Sequence, residues 1–148
     1  MQKSVIQVWG KAGSGKTSTV KLIHQELIKR YQNPHHTYNL PLLGPEIYEV
    51  LDCLDYRVGL TSMGDDLTPL LKSQLEQCFE NCDIIVAASR VYNNVDHYLN
   101  EKSNQKSFRR IKVTNFRLKD TPAVRWTFNQ ESARDIVNLI NNIILGRL

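Results

Sequence analysis

The chain alternates short, nearly unbroken apolar runs with longer stretches in which apolar residues recur every three or four positions. Val5-Ile6-Gln7-Val8-Trp9 and Asp83-Ile84-Ile85-Val86-Ala87-Ala88 are runs of the first kind. Their continuity predicts parallel strands covered on both faces. Val20, Ile23, Leu27 and Tyr31 share one helical face, with Lys21, Gln25, Glu26, Lys29 and Arg30 turned outward and Asn33-Pro34 as the stop. Thr68 as N-cap and Pro69 at the first helical position open a second helix, buried along Leu71, Leu75, Cys78 and Cys82. A last helix places Ala133, Ile136, Val137, Ile140 and Ile144 on the sheet, with Asn129 as N-cap and Gly146 as its end.

The remaining segments are less regular. Residues 47–51 and 57–61 read as strands joined by a turn with Asp52 and Asp55 in it, a connection too short for a parallel crossover. The first is then an antiparallel strand at the sheet margin, and the second runs parallel to the strand at residues 5–9. Val91, Val95, Tyr98 and Leu99 support a weak helix over 91–102, followed by a charged, mobile stretch over 103–110. Residues 110–118 form a fifth strand with Ile111, Val113 and Phe116 inward, and Val124, Trp126 and Phe128 suggest one more. Residues 33–45, with three prolines and the pair His35-His36, read as a long irregular connection, either a surface excursion with two solvated histidines, the favoured reading, or a segment able to cover a substrate. This order of strands and helices predicts a three-layer α/β/α fold with a mainly parallel sheet, built as one domain over residues 1–148.

Candidate chemistry concentrates in Gly10-Lys11-Ala12-Gly13-Ser14-Gly15-Lys16-Thr17, between the first strand and the first helix. The glycines let backbone amides face a polyanion without Cβ atoms in the way, and the helix adds its unpaired N–H groups and positive dipole end. Lys16, on a solvent-facing loop, is expected to reach the β- and γ-phosphates, and Thr17 to ligate magnesium, with Ser18 next in the helix. The eight residues match Gly-x-x-x-x-Gly-Lys-[Ser/Thr] throughout, and the chain resembles the P-loop NTPase superfamily through this Walker A motif. The run from Val58 to Asp66, followed by a helix and then Cys82 to Val86, is similar to small bacterial ATP-binding P-loop proteins.

The resemblance implies the superfamily's fold, a nucleoside triphosphate, Mg2+ and a second motif in which an acid at a strand end helps hold the metal. Asp65 is the first choice for that acid, Asp66 the second and Asp52 the third. Asp65 and Asp66 follow Ser62-Met63-Gly64 at the carboxyl edge of the sheet, where open α/β sheets bind ligands, and both are expected to face the phosphates. Asp52 would lie on the wrong edge if residues 47–61 form a hairpin. Arg90, at the end of the strand at 83–88, is placed to stabilise a transferred phosphoryl group or to anchor an acidic substrate, with pairing to Asp65 or Asp66 or extension into solvent as the other readings.

Composition narrows the class. No run of about 18 apolar residues is present and no signal-peptide pattern opens the chain, so a cytoplasmic protein without membrane contact is expected. Cys53, Cys78 and Cys82 are too few for a disulfide framework and read as core residues. The net charge is +4, but residues 101–125 hold eight Lys or Arg and two acids, a local +6 that leaves −2 for the remainder. Lys102, Lys106, Arg109, Arg110 and Lys112 therefore raise nucleic-acid binding as one reading. No Asn/Thr-Lys-x-Asp run for guanine is present, which makes ATP the default. The leading expectation is a small Mg-dependent ATPase that hydrolyses the β–γ bond, with little room for a separate substrate domain and able to signal its nucleotide state to a protein partner. A small-molecule or nucleotide kinase and a nucleotide-regulated binding module without turnover are the alternatives.

Overall fold

The computed structural model describes residues 2–10, 15–31, 46–90, 92–114 and 122–148, and the backbone of 35–39. The elements are β1 (Ser4–Trp9), α1 (Lys16–Arg30), β2 (His35–Asn39), β3 (Tyr48–Cys53), β4 (Tyr56–Thr61), α2 (Pro69–Asn81), β5 (Ile84–Ser89), α3 (Asn94–Lys106), β6 (Arg109–Thr114) and α4 (Pro122–Ile144). They build a six-stranded sheet in the order β2-β3-β4-β5-β1-β6. Strands β1, β4, β5 and β6 run parallel, and β3 is antiparallel to both β2 and β4. The protein is thus α/β with a mostly parallel sheet.

Alternation along each strand divides the core in two. Ile6, Val8, Val58, Leu60, Ile84 and Val86 meet Val20, Ile23 and Leu27 of α1 and Ile136, Val137 and Ile140 of α4 on one face. Val5, Val50, Ile85 and Ala87 meet Leu71, Leu75 and Cys78 of α2 and Val95 and Leu99 of α3 on the other. β1 and β5 are buried on both sides, which explains why their sequences show no polar alternation. Thr68 caps α2 by accepting from the Leu71 amide at 3.2 Å, with Pro69 inside the first turn. The three cysteines are buried and free. At the end of α4 the Gly146 and Arg147 amides close back onto the carbonyls of Ile143 and Asn142.

Four expectations are corrected. Residues 35–39, read as irregular, form β2, so the sheet margin belongs to β2 and β3 is internal; backbone pairing with β3 supplies what the side-chain pattern lacks. Residues 103–106 are the last turn of α3, Ser107 ends it at φ 60°, and Phe108 is buried, so this stretch is ordered by packing against Phe79. Val124 and Trp126 lie on the exposed first turns of α4, not on a strand. Asn129 is consequently inside that helix and caps nothing. The expected Phe116 lies outside the described residues. No helix among the described residues is long and apolar enough to cross a membrane.

Candidate functional site

Adjacent strands β1 and β5 lead into helices on opposite faces of the sheet, α1 and α3. A reversal of this kind opens a crevice outside the carboxyl ends of the two strands. Gly10, Gly15 to Ser18, Ser62 to Asp66 and Ser89-Arg90 stand at that edge, while Lys11, Ala12, Gly13 and Ser14 lie outside the described residues. A cleft of about 210 Å³ is lined there by Gly15, Lys16, Thr17, Ser18, Ser62 and Asp65.

Gly15 turns the chain into α1 in the left-handed region, φ 83°. That conformation is what favours glycine here, since the atoms an added Cβ would meet, 2.5 Å away at the nearest, belong to the end of the Asn129 side chain, which can swing aside. Among the described residues no side chain caps α1, and its first turn holds no acid. The positive end of its dipole is therefore not offset by a carboxylate of that turn.

Lys16 is 6% exposed, which corrects the expectation of a solvent-facing lysine. Its Nζ donates to the Gly10 carbonyl at 3.0 Å, folding the side chain back over the start of the loop. Burial pushes its pKa down; nearby Asp65 works against that shift, and Arg90 adds to it. The ammonium is thus partly stripped of water beside an anion-sized cleft.

The two adjacent acids go different ways. Asp65 lines the cleft, and its Oδ1 accepts from Arg90 Nε at 3.0 Å. Asp66 Oδ1 instead accepts from Asn94 Nδ2 at 2.7 Å and from the Leu67 amide at 3.0 Å. It fastens the loop to the start of α3, so the expectation that both carboxylates face the cleft is corrected. Asp52 sits at the opposite edge, paired with Arg57 at 3.0 Å, because Asp52 and Arg57 are partners in the β3–β4 register.

Gly64 holds the two halves of this edge together. A Cβ there would meet the Ala88 carbonyl carbon and oxygen at 2.5 Å, and the Gly64 carbonyl accepts from the Arg90 amide at 3.2 Å and Asn93 Nδ2 at 3.0 Å. The Ser62–Asp66 loop therefore rests directly on the end of β5, and Arg90 is delivered beside Asp65 by backbone contacts.

Glu46 is a residue of this edge that the sequence does not single out. Its carboxylate oxygens accept from Thr17 Oγ1 at 3.5 and 3.4 Å and from the Ser62 hydroxyl. Ser62 Oγ in turn accepts from the Ile47 amide at 2.8 Å. The hairpin register, which pairs Tyr48 with Thr61, places residues just before β3 against those just after β4. Only that pairing could have pointed to Glu46. The side chains of His35 and His36 lie outside the described residues.

The basic segment is largely spent on internal contacts. Lys106 pairs with Glu80 at 2.6 Å, Arg109 donates to Ser4 Oγ at 3.3 Å, and Lys102 lies 5.8 Å from the Tyr98 ring centre. Arg110 reaches Asp96 at 2.5 Å and Gln7 Oε1 at 2.8 Å, while Lys112 contacts Asp96 at 3.2 Å and stands 4.8 Å over Trp9. Gln7, in the middle of β1, also donates to Ser89 Oγ at 2.6 Å and to Asp96 at 2.7 Å. Burial would raise the Asp96 pKa, but the hydrogen bonds from Gln7 and Lys112 and the charges of Lys112 and Arg110 hold it below the usual carboxylate range.

No protein-family model matches the chain, and neither a curated protein nor a solved structure matches it.

Proposed function

We propose that the chain is a magnesium-dependent nucleoside triphosphate-binding protein of the three-layer P-loop NTPase class, with ATP as the default nucleotide, and that it hydrolyses the β–γ bond. The observation that carries this reading is Lys16, buried at the uncapped start of α1 and folded onto the Gly10 carbonyl beside a cleft that Thr17, Ser62 and Asp65 share.

The residues present fit the group. The cleft suits a phosphate tail rather than a whole nucleotide, since complete small-molecule sites start at about 300 Å³. Among the described residues no cluster of three or more His, Cys, Asp or Glu forms a closed metal cage. Magnesium needs none, because it keeps several waters and takes one or two protein oxygens together with phosphate. Thr17 would offer the ion a hydroxyl oxygen, with one carboxylate of this edge beside it, either Asp65, which lines the cleft, or Glu46, which is bonded to Thr17 and Ser62, and the ion when bound would neutralise charge on the phosphate oxygens.

Lys16 and the first amides of α1 bind and orient the terminal phosphates. Arg90, fixed by Asp65, sits where it can offset charge that develops on the transferred group. Asp65 keeps that guanidinium in place and can accept a hydrogen bond from an attacking water. The kinase alternative draws on Tyr92, 74% exposed, two residues beyond Arg90 and 6.1 Å from the Trp9 ring, as a wall for an acceptor. Phosphate release from ATP with and without Mg2+, alone and with candidate acceptors, tests the proposal. Release that needs Mg2+ but no acceptor supports the ATPase. Release only with an acceptor favours the kinase, and none under any condition removes both.

A further inference from the structure

We infer that Glu46, acting with Ser62, is the positioning carboxylate of the divalent-cation site, and that Asp65 serves Arg90 instead. The inference rests on the phosphate-site reading above and assigns a role to a residue outside both sequence motifs.

A hydroxyl can ligate a cation only through an oxygen lone pair, so its proton must point elsewhere. Glu46 faces Thr17 Oγ1 at 3.5 and 3.4 Å, a long contact that makes the carboxylate an acceptor for that proton when the hydroxyl turns its lone pairs to the cleft. The Ser62 hydroxyl is constrained in the same way. Its oxygen accepts from the Ile47 amide at 2.8 Å, so its own proton goes to Glu46. The carboxylate thus gathers two hydroxyl donors, is anchored on β3 and β4 together, and faces the first turn of α1.

Asp65 is differently committed. Its Oδ1 is taken by Arg90 at 3.0 Å, and its side chain is 68% exposed. Only Oδ2 of Asp65 is left for a cation, which would then share the carboxylate with a guanidinium of like charge, whereas Glu46 holds hydroxyls whose lone pairs a cation can share. Partners that orient a metal ligand typically change metal affinity by about 10- to 100-fold when removed.

The test measures nucleotide affinity while Mg2+ is titrated, using a non-hydrolysable ATP analogue, with thermal unfolding to confirm the fold. Glu46→Gln should raise the half-saturating Mg2+ by about 10-fold or more, while metal-free analogue affinity stays the same or improves as a negative charge leaves the polyanion site. Ser62→Ala should shift it in the same direction by less, and it stands in for Glu46→Gln should that variant fail to fold. Mn2+ bound with the analogue should show an altered electron paramagnetic resonance line shape in Glu46→Gln. A larger Mg2+ shift in Asp65→Asn than in Glu46→Gln overturns the inference, as does a Glu46→Gln variant that titrates like the wild type. No analogue binding by wild type at any Mg2+ concentration overturns the phosphate-site reading, and this inference with it.

Discussion

Lys16 Nζ donates to the carbonyl of Gly10, 3.0 Å away, so the last charged residue of the glycine-rich segment closes onto its first residue. With 6% of the residue exposed, the ammonium is largely withdrawn from water, and an anion in the adjoining cleft would receive a charge-assisted hydrogen bond from it. Lys16→Met keeps the packed aliphatic stem and removes the charge. It is expected to weaken triphosphate binding by about 100-fold, the value of a hydrogen bond to a charged group. Stability should change by no more than about 1 kcal/mol, because an incompletely solvated cation is also removed. Calorimetric titration with ATP and urea unfolding of the same preparation check the two halves. A folded variant with unchanged ATP affinity would contradict the central claim.

The depressed pKa of Lys16 gives the binding a pH signature. Burial is the main cause, and Arg90 adds to it while Asp65 opposes. A bound polyanion favours the protonated lysine, so affinity is full below the folded-state pKa and falls as pH rises through it. That fall should begin below the ordinary lysine value and approach tenfold per pH unit. Analogue binding measured from pH 7 upward follows it, with Lys16→Arg as the comparison in which this limb disappears. A wild-type affinity that is flat through the alkaline range would rule the lysine out as the titrating group.

Much of the fold was legible because its signals are local. The apolar runs of β1 and β5, the Thr68-Pro69 start of α2 and the short 52–55 turn each encode an element within a few residues, and the position of Asp52 at the opposite edge follows from that turn alone. The start of α1 directly after Gly15 is legible for the same reason. Glu46 was not, since its role arises from the register that brings Tyr48 opposite Thr61, and no spacing in the sequence reports a cross-strand pairing. β2 was missed because His35–Asn39 carries no apolar alternation and is held by backbone pairing. The period of two at Val124, Trp126 and Phe128 pointed to a strand, but the same residues fall on α4, whose later apolar face docks firmly enough to propagate the helix back to Pro122. Asp65 and Asp66 look equivalent in the sequence, and only Asn94, 28 residues beyond Asp66, separates their roles.

Gly64 tests whether the Ser62–Asp66 loop must rest on β5. The Cβ of Gly64→Ala would meet backbone atoms of Ala88 at 2.5 Å and the Ser89 nitrogen at 2.8 Å, neither of which can swing away. Overpacking against backbone costs about 1–3 kcal/mol, so a loss near about 2 kcal/mol is expected. Because the Arg90 amide bonds to the Gly64 carbonyl, the displaced loop should also carry Asp65 and Arg90 out of register. Urea unfolding reads the first effect, and a lowered phosphate-release rate at saturating ATP the second. Stability within about 0.5 kcal/mol of wild type, the range of an ordinary surface substitution, would mean that the contact is slack.

Asp96 anchors the polar network beneath the carboxyl edge. It is 6% exposed, and it receives Arg110, Lys112 and Gln7, the last of which also holds Ser89. Asp96→Asn keeps the shape but leaves two cations facing a neutral amide. Removing one member of a buried pair costs about 3 kcal/mol, enough to lower the melting temperature by on the order of 10 °C in a chain of this size. The pH dependence follows from the direction of the shift. The folded carboxylate has a pKa below its unfolded value of about 3.9, so its stabilisation is fully present above that value and is lost as pH falls through the lower folded one. The gap between wild type and Asp96→Asn should therefore be constant from neutral pH down to about 4 and close below it. Urea unfolding of both proteins at a series of pH values measures this gap. A gap that closes between pH 7 and 5 would assign the stabilisation to some other titrating group, and no gap at neutral pH would mean that Arg110 and Lys112 find solvent as readily as they find Asp96.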